Sequence, residues 1–161
     1  MVIEINHSVP LKAVDDDQRL DYSEDLRNRG NHFYKERNYE SAMIAYKGSL
    51  FWASISCDSD RDKRRQSQGQ IFANLSAIHF QQKRYELTVI CSSRVIDLAT
   101  STKANVKNIN SLLIRRADSY SKLNEFELAR QDIAGICNAT DAQQKRIQSI
   151  ESKIETETKG H

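Results

Sequence analysis

At 161 residues with a formal net charge of +2, the chain is long enough for one domain with a core and too short for two ordinary ones. The near-balanced charge makes no case for a nucleic-acid or membrane partner. Its three cysteines, Cys57, Cys91 and Cys137, are an odd number at wide spacing without a C-x-x-C pair, so neither a disulfide framework nor a zinc site is suggested. A single proline, Pro10, and five scattered glycines stand among many Glu, Gln, Lys, Arg, Ala and Leu residues, so helix breakers are nearly absent and the class is all-α. The N-terminus has no basic leader region, and no window approaches the roughly 18 apolar residues of a membrane span. A soluble protein in a reducing, cytoplasmic location, the nucleus included, is expected.

In chain order, residues 1–17 read as a loose N-terminal arm whose acids, Asp15, Asp16 and Asp17, cap a first helix running from about Gln18 to Glu36. Within that helix Gly30 precedes Phe33 by three residues, and after the polar turn Glu36 to Asn38 come Tyr39, Ala42 and Tyr46. A mid-helix glycine costs about 1 kcal/mol against alanine, so Gly30 is kept where a second helix comes close, with Ala42 giving the facing helix the same allowance. Phe33, Tyr39 and Tyr46 fill the seams. The second helix starts at the N-cap Asn38 and continues through Phe51 and Trp52 to Ile55.

Cys57 to Gln70, with Arg61, Lys63, Arg64 and Arg65 in close succession, reads as an exposed, solvated loop without the interleaved aromatics of a nucleic-acid surface. The small and aromatic seats then recur. Ser76, His79, Tyr85 and Thr88 stand where Gly30, Phe33, Tyr39 and Ala42 stood, and Ala117, Tyr120, Phe126 and Ala129 repeat them again. Ala42, Thr88 and Ala129 are spaced by 46 and 41 residues, against about 34 for the simplest helical-hairpin repeat. Ile147, Ile150 and Ile154 share one face of a last helix that follows the cap at Asn138 to Asp141 and frays from about Glu155. The domain is expected over 18–158, with units at about 23–57, 69–100 and 110–140 and a capping helix at about 141–158.

This pattern resembles the tetratricopeptide repeat (TPR), and the fold it implies is a right-handed α-solenoid of three TPR helix hairpins plus a C-terminal capping helix. The segment Asn74-Leu-Ser-Ala and the third unit's Ile-Arg-Arg-Ala and Leu-Asn-Glu-Phe-Glu-Leu-Ala-Arg are similar to the TPR domain of large immunophilin-type co-chaperones. No isomerase domain accompanies them. The organisation is also similar to repeats of axonemal dynein assembly factors and of repeat-bearing methyltransferase-type proteins.

The co-chaperone resemblance implies a groove that binds the acidic C-terminal peptide of the 90-kDa or 70-kDa heat-shock chaperones through a two-carboxylate clamp. Carried over position by position, the clamp residues are Arg27, in place of the family's lysine, with Asn31, Asn74 and Arg115. Ser111 departs from the pattern, since the family has a second lysine there. A charge-assisted hydrogen bond is worth roughly 1.5 to 3 kcal/mol, so its loss weakens the peptide by about ten-fold or more. Lys107, another turn earlier, has a long stem with which it could reach in.

Other chemistry is not indicated. His79 occupies an aromatic seat, the glycines never cluster into a phosphate-cradling loop, and nothing near Cys91 in sequence would lower its pKa. The expectation is therefore a non-enzymatic adaptor with a protein or peptide partner and no cofactor, metal or small-molecule substrate. Phe51 and Trp52 either pack on the next hairpin or form an apolar partner patch. The competing expectation is a TPR scaffold, dynein-arm-assembly-like or similar, that assembles another protein complex through such a surface without using the clamp.

Overall fold

The computed structural model describes residues 15–55, 61–102 and 108–160. The described residues form seven α-helices: α1 (Asp16–Lys35), α2 (Tyr39–Ser54), α3 (Arg61–Gln81), α4 (Tyr85–Thr102), α5 (Ile109–Lys122), α6 (Phe126–Ala134) and α7 (Asp141–Lys159). They divide into two compact units whose border falls inside α3, between Ile71 and Phe72.

In the first unit, Asp15 caps α1 through a reciprocal box, its carboxylate accepting from the Gln18 N–H at 2.8 Å while the Gln18 side chain accepts from the Asp15 N–H. The helix thus starts two residues ahead of the expected Gln18. Asn38 caps α2 by accepting from the Ser41 N–H at 3.3 Å. Small residues line the α1–α2 seam. Ala42 and Ala45 are fully buried with Tyr46, and the ring of Tyr46 lies where a Cβ on Gly30 would be, 2.5 Å from that position at its Cε1. A second close approach joins Gly48 to Leu26, with 3.0 Å between the missing Cβ and a leucine methyl. Beyond it Ser23 donates to the Ser49 carbonyl at 2.9 Å and Ser49 donates to the Ser23 carbonyl at 2.6 Å, a buried reciprocal pair.

The stretch Arg61–Gln70 corrects the sequence reading: from Arg61 onward it is helical, not loop. Its Lys, Arg and Gln residues are good helix formers, and a Cβ on Gly69 would meet nothing within 4 Å.

In the second unit α5 packs against α4, α6 and α7. Its core cluster is Ile114, Ala117, Ala129, Ile150 and Ile154, with Tyr120, Phe126 and Ile147 packed around it. The three isoleucines of α7 therefore cover α5 and α6 as a capping helix does. Thr140 starts α7 with a second capping box to Gln143. Where fraying from Glu155 was expected, the helix continues to Lys159, with Ile154 buried one residue before that point.

The hairpin turns repeat in detail. Arg37, Lys83 and Asn124 each adopt a left-handed conformation, with φ of 59°, 58° and 62°, and they are 46 and 41 residues apart, matching the spacing of the small seats. Each turn closes with the same bond, from the N–H of the following residue to the carbonyl five positions back: Asn38 to Phe33, Arg84 to His79 and Glu125 to Tyr120, all at 2.9 Å. This is the Schellman arrangement, which satisfies the last carbonyls of one helix while starting the next.

Candidate functional site

On α1, Arg27 and Asn31 stand one turn apart, both half-buried. Asn31 accepts the Tyr46 hydroxyl at its Oδ1, 2.8 Å away, which sets the orientation of the amide and leaves the nitrogen as its donor end. The close approach of Gly30 and Tyr46 is what brings that hydroxyl to Asn31. Arg27 donates through Nη1 to the Gln70 side chain of α3 and through Nη2 to Glu24 at 3.5 Å, while its Nε is buried without a hydrogen-bond partner. Arg27 also lines a cavity of about 210 Å³ in the first unit with Lys63, Arg64, Ser67 and Gln70 of α3 and Glu24 of α1.

In the second unit, Asn74 is half-buried on α3. Arg115 of α5 donates to the Ser76 hydroxyl at 2.7 Å and to the Ala73 carbonyl at 3.3 Å, so the small seat of the second repeat is itself an acceptor for the candidate arginine. Ser111, one turn before Arg115, accepts from the Gln143 side chain of α7 at 3.4 Å. Lys107 lies outside the described residues.

Phe51 is 49% exposed and meets Trp52 edge-on at 5.7 Å, and Trp52 leans on Tyr22 of α1 at 5.2 Å between ring centroids. Tyr22 is itself 45% exposed. The end of α2 thus carries a solvent-facing aromatic cluster with α1.

Two arrangements escaped the sequence reading. Gln70, which receives the Arg27 guanidinium, falls in the stretch that reads as loop in sequence; continuing the helix back from Ile71 puts it one turn before Asn74. Arg116 of α5 forms a bidentate pair with Asp132 of α6, Nε to Oδ2 at 2.8 Å and Nη2 to Oδ1 at 2.5 Å, and reaches Ser93 of α4 at 2.9 Å. The Asp132 hydrogen bond raises the Arg116 pKa above its ordinary value, so this pair braces three helices as fixed charges.

His79 is buried, as an aromatic seat requires. Cys91 is buried too, and desolvation pushes its thiol pKa up, away from thiolate chemistry. Among the described residues no group of His, Cys, Asp and Glu side chains could hold a metal ion, and no helix is long and apolar enough to cross a membrane.

No family model matches the chain. It is 23% identical over 119 residues to the human peptidyl-prolyl cis-trans isomerase FKBP4 (72% of this chain and 24% of that protein), and 24% identical over 105 residues to the stress-induced-phosphoprotein 1 of Caenorhabditis elegans (65% of this chain and 29% of that protein). The chain thus spans about a quarter of the length of these curated relatives. Among solved structures, the C-terminal TPR-containing domain of a Plasmodium falciparum FK506-binding protein superposes with a TM-score of 0.78 at 17% identity, covering 93% of this chain and 99% of that one. The N-terminal domain of the C. elegans stress-induced protein gives a TM-score of 0.60 at 19% identity, over 83% and 97%. The chain has the fold of a tetratricopeptide-repeat domain.

Proposed function

We propose that this domain is a co-chaperone-type adaptor, without catalytic activity of its own, that binds the acidic C-terminal peptide of a 90-kDa or 70-kDa heat-shock chaperone. Arg27 and Asn31 of the first unit and Asn74 and Arg115 of the second are the donors assigned to the peptide's carboxylates. The observation that carries the reading is the α1 pair: a cation and an amide one turn apart, the amide held by Tyr46 with its oxygen already accepting. A terminal carboxylate needs N–H donors, and charge-assisted bonds to it are the strong ones. The similarity to FKBP4 and stress-induced-phosphoprotein 1 supports it.

The test is a titration with a peptide ending in Glu-Glu-Val-Asp, its C-terminally amidated form as control, repeated with Asn31→Ala and Arg115→Ala and with a thermal melt of each variant. Micromolar binding lost on amidation and in Asn31→Ala is the expected result. No binding at high micromolar peptide ends the reading.

The second reading, an assembly scaffold that does not use a clamp, is favoured by the Arg115 bonds to Ser76 and Ala73 and by the exposed cluster of Tyr22, Phe51 and Trp52. Loss of a protein partner on Trp52→Ala together with indifference to Asn31→Ala would favour it over the first.

A further inference from the structure

The basic run Arg61, Lys63, Arg64 and Arg65 has no part in the clamp assigned above, yet two of its members line the same cavity as Arg27. The cavity exists because this stretch is helical: on α3, Lys63, Ser67 and Gln70 recur at helical spacing. Three cations line it, Arg27, Lys63 and Arg64, against two acids, Asp21 and Glu24. Glu24 already holds the Arg27 Nη2.

Two features point to an incoming anion. With Nη1 on Gln70 and Nη2 on Glu24, the guanidinium is held on both sides, and its Nε–H is buried without an acceptor, a condition that is unfavourable until an acceptor arrives. Lys63 makes no hydrogen bond or ion pair among the described residues, so its ammonium has no partner among them to give up. Lys63 lies in the first turn of α3, and the Arg27 guanidinium is held at Gln70 further along the same helix. At about 210 Å³ the cavity is smaller than the roughly 300–1,000 Å³ of small-molecule sites, which suits one side chain of a peptide.

We propose that this cavity is a second anion subsite, in which Arg27 Nε and Lys63 receive the carboxylate of an acidic side chain of the bound peptide. The proposal rests on the adaptor reading for the ligand being an acidic peptide, but not on the terminal-carboxylate clamp.

The experiment follows the Arg27 Nε–H signal by nitrogen-15 NMR of the whole chain during titration with tetraglutamate acetylated at its N-terminus and amidated at its C-terminus, which has acidic side chains and no terminal carboxylate. The signal is expected to shift with tetraglutamate and not with the equivalent tetraglutamine. Affinity should fall about five-fold in Lys63→Gln and stay unchanged in Lys47→Gln, an exposed lysine of α2 outside the cavity. A stationary Arg27 signal, or equal weakening in both lysine variants, overturns the subsite. The free and amidated Glu-Glu-Val-Asp peptides separate the two ideas. Amidation-sensitive binding with no tetraglutamate response removes the subsite and leaves the clamp. A Lys63-dependent tetraglutamate response with no sensitivity to amidation supports the subsite and removes the clamp.

Discussion

The ring of Tyr46 occupies the space beside Gly30 where any other residue would carry a Cβ, at 2.5 Å from Cε1 and 2.6 Å from Cδ1. These are rigid ring atoms of a fully buried side chain, so an added methyl displaces the ring or parts the helices. Gly30→Ala gains about 1 kcal/mol in helix propensity and loses about 1–3 kcal/mol to overpacking. A net loss of about 1 kcal/mol, read as a lower urea midpoint, is the expected outcome. Because the displaced ring carries the hydroxyl bonded to Asn31, the same variant should also weaken the acidic peptide, and Tyr46→Phe should weaken it without the packing defect. Full peptide affinity in both variants would show that the Tyr46 bond does not orient Asn31 for binding.

The hairpin turns offer a second test. Arg37 and Lys83 hold left-handed φ values that side chains with a Cβ rarely adopt, at a cost of about 1 kcal/mol each. Glycine removes that cost and asparagine tolerates it. Arg37→Gly and Lys83→Gly should each raise the thermal midpoint by about 2–4 °C, and Asn124→Gly by less. The gains should add, since the turns are far apart in the chain and share no bonds.

These turns also show how much of the fold could be read in advance. Gly30 stood out because a glycine inside a helix needs a reason, and the 46- and 41-residue spacing of the small seats reappears in the turns. Local signals sufficed there. The Arg61–Gln70 segment reads as a loop in sequence because it is polar and charged and lacks an apolar stripe, yet it is helical. Its contacts with α1 are polar, Gln70 receiving Arg27 while Lys63 and Arg64 line the cavity beside it, and hydrophobic periodicity cannot see that. The Ser23–Ser49 and Asn31–Tyr46 bonds join residues on different helices, whose facing depends on where each helix starts to within a fraction of a turn. Asn31 is assigned through a family resemblance, and in sequence its partner Tyr46 is assigned only to packing.

The Arg116–Asp132 pair was invisible for the same reason, and it predicts a large effect. Asp132 is 7% exposed at its side chain and Arg116 17%, so removing one partner strands a buried charge, at about 3–5 kcal/mol. Asp132→Ala should therefore approach the unfolding threshold of an ordinary domain. The contrast is Arg130→Ala, which breaks an exposed pair with Glu127 at 3.8 Å and should change stability by under about 0.5 kcal/mol. Arg116→Lys should lose much of what Asp132→Ala loses, because an ammonium cannot make two parallel bonds to one carboxylate and still reach Ser93. Chemical denaturation of the three variants decides it; equal midpoints for Asp132→Ala and Arg130→Ala would show the pair to be without net value.

The most direct test of the functional reading lies at Ser111. The co-chaperone pattern has a lysine there, and in this chain the serine hydroxyl instead accepts from Gln143 of α7 at 3.4 Å, a long bond between partly exposed groups whose loss costs about 0.5 kcal/mol. Ser111→Lys should therefore fold normally. If Arg115 and its neighbourhood receive the second carboxylate, the added ammonium restores a charge-assisted bond, and affinity for the Glu-Glu-Val-Asp peptide should rise about ten-fold. The gain should shrink as salt rises from low to physiological strength, and it should vanish when the two glutamate side chains and the terminal aspartate side chain are replaced by their amides. A lysine that changes nothing would mean that the peptide does not pass α5, leaving the first unit, with Arg27, Asn31 and the cavity beside Lys63, as the part of the domain that meets the ligand.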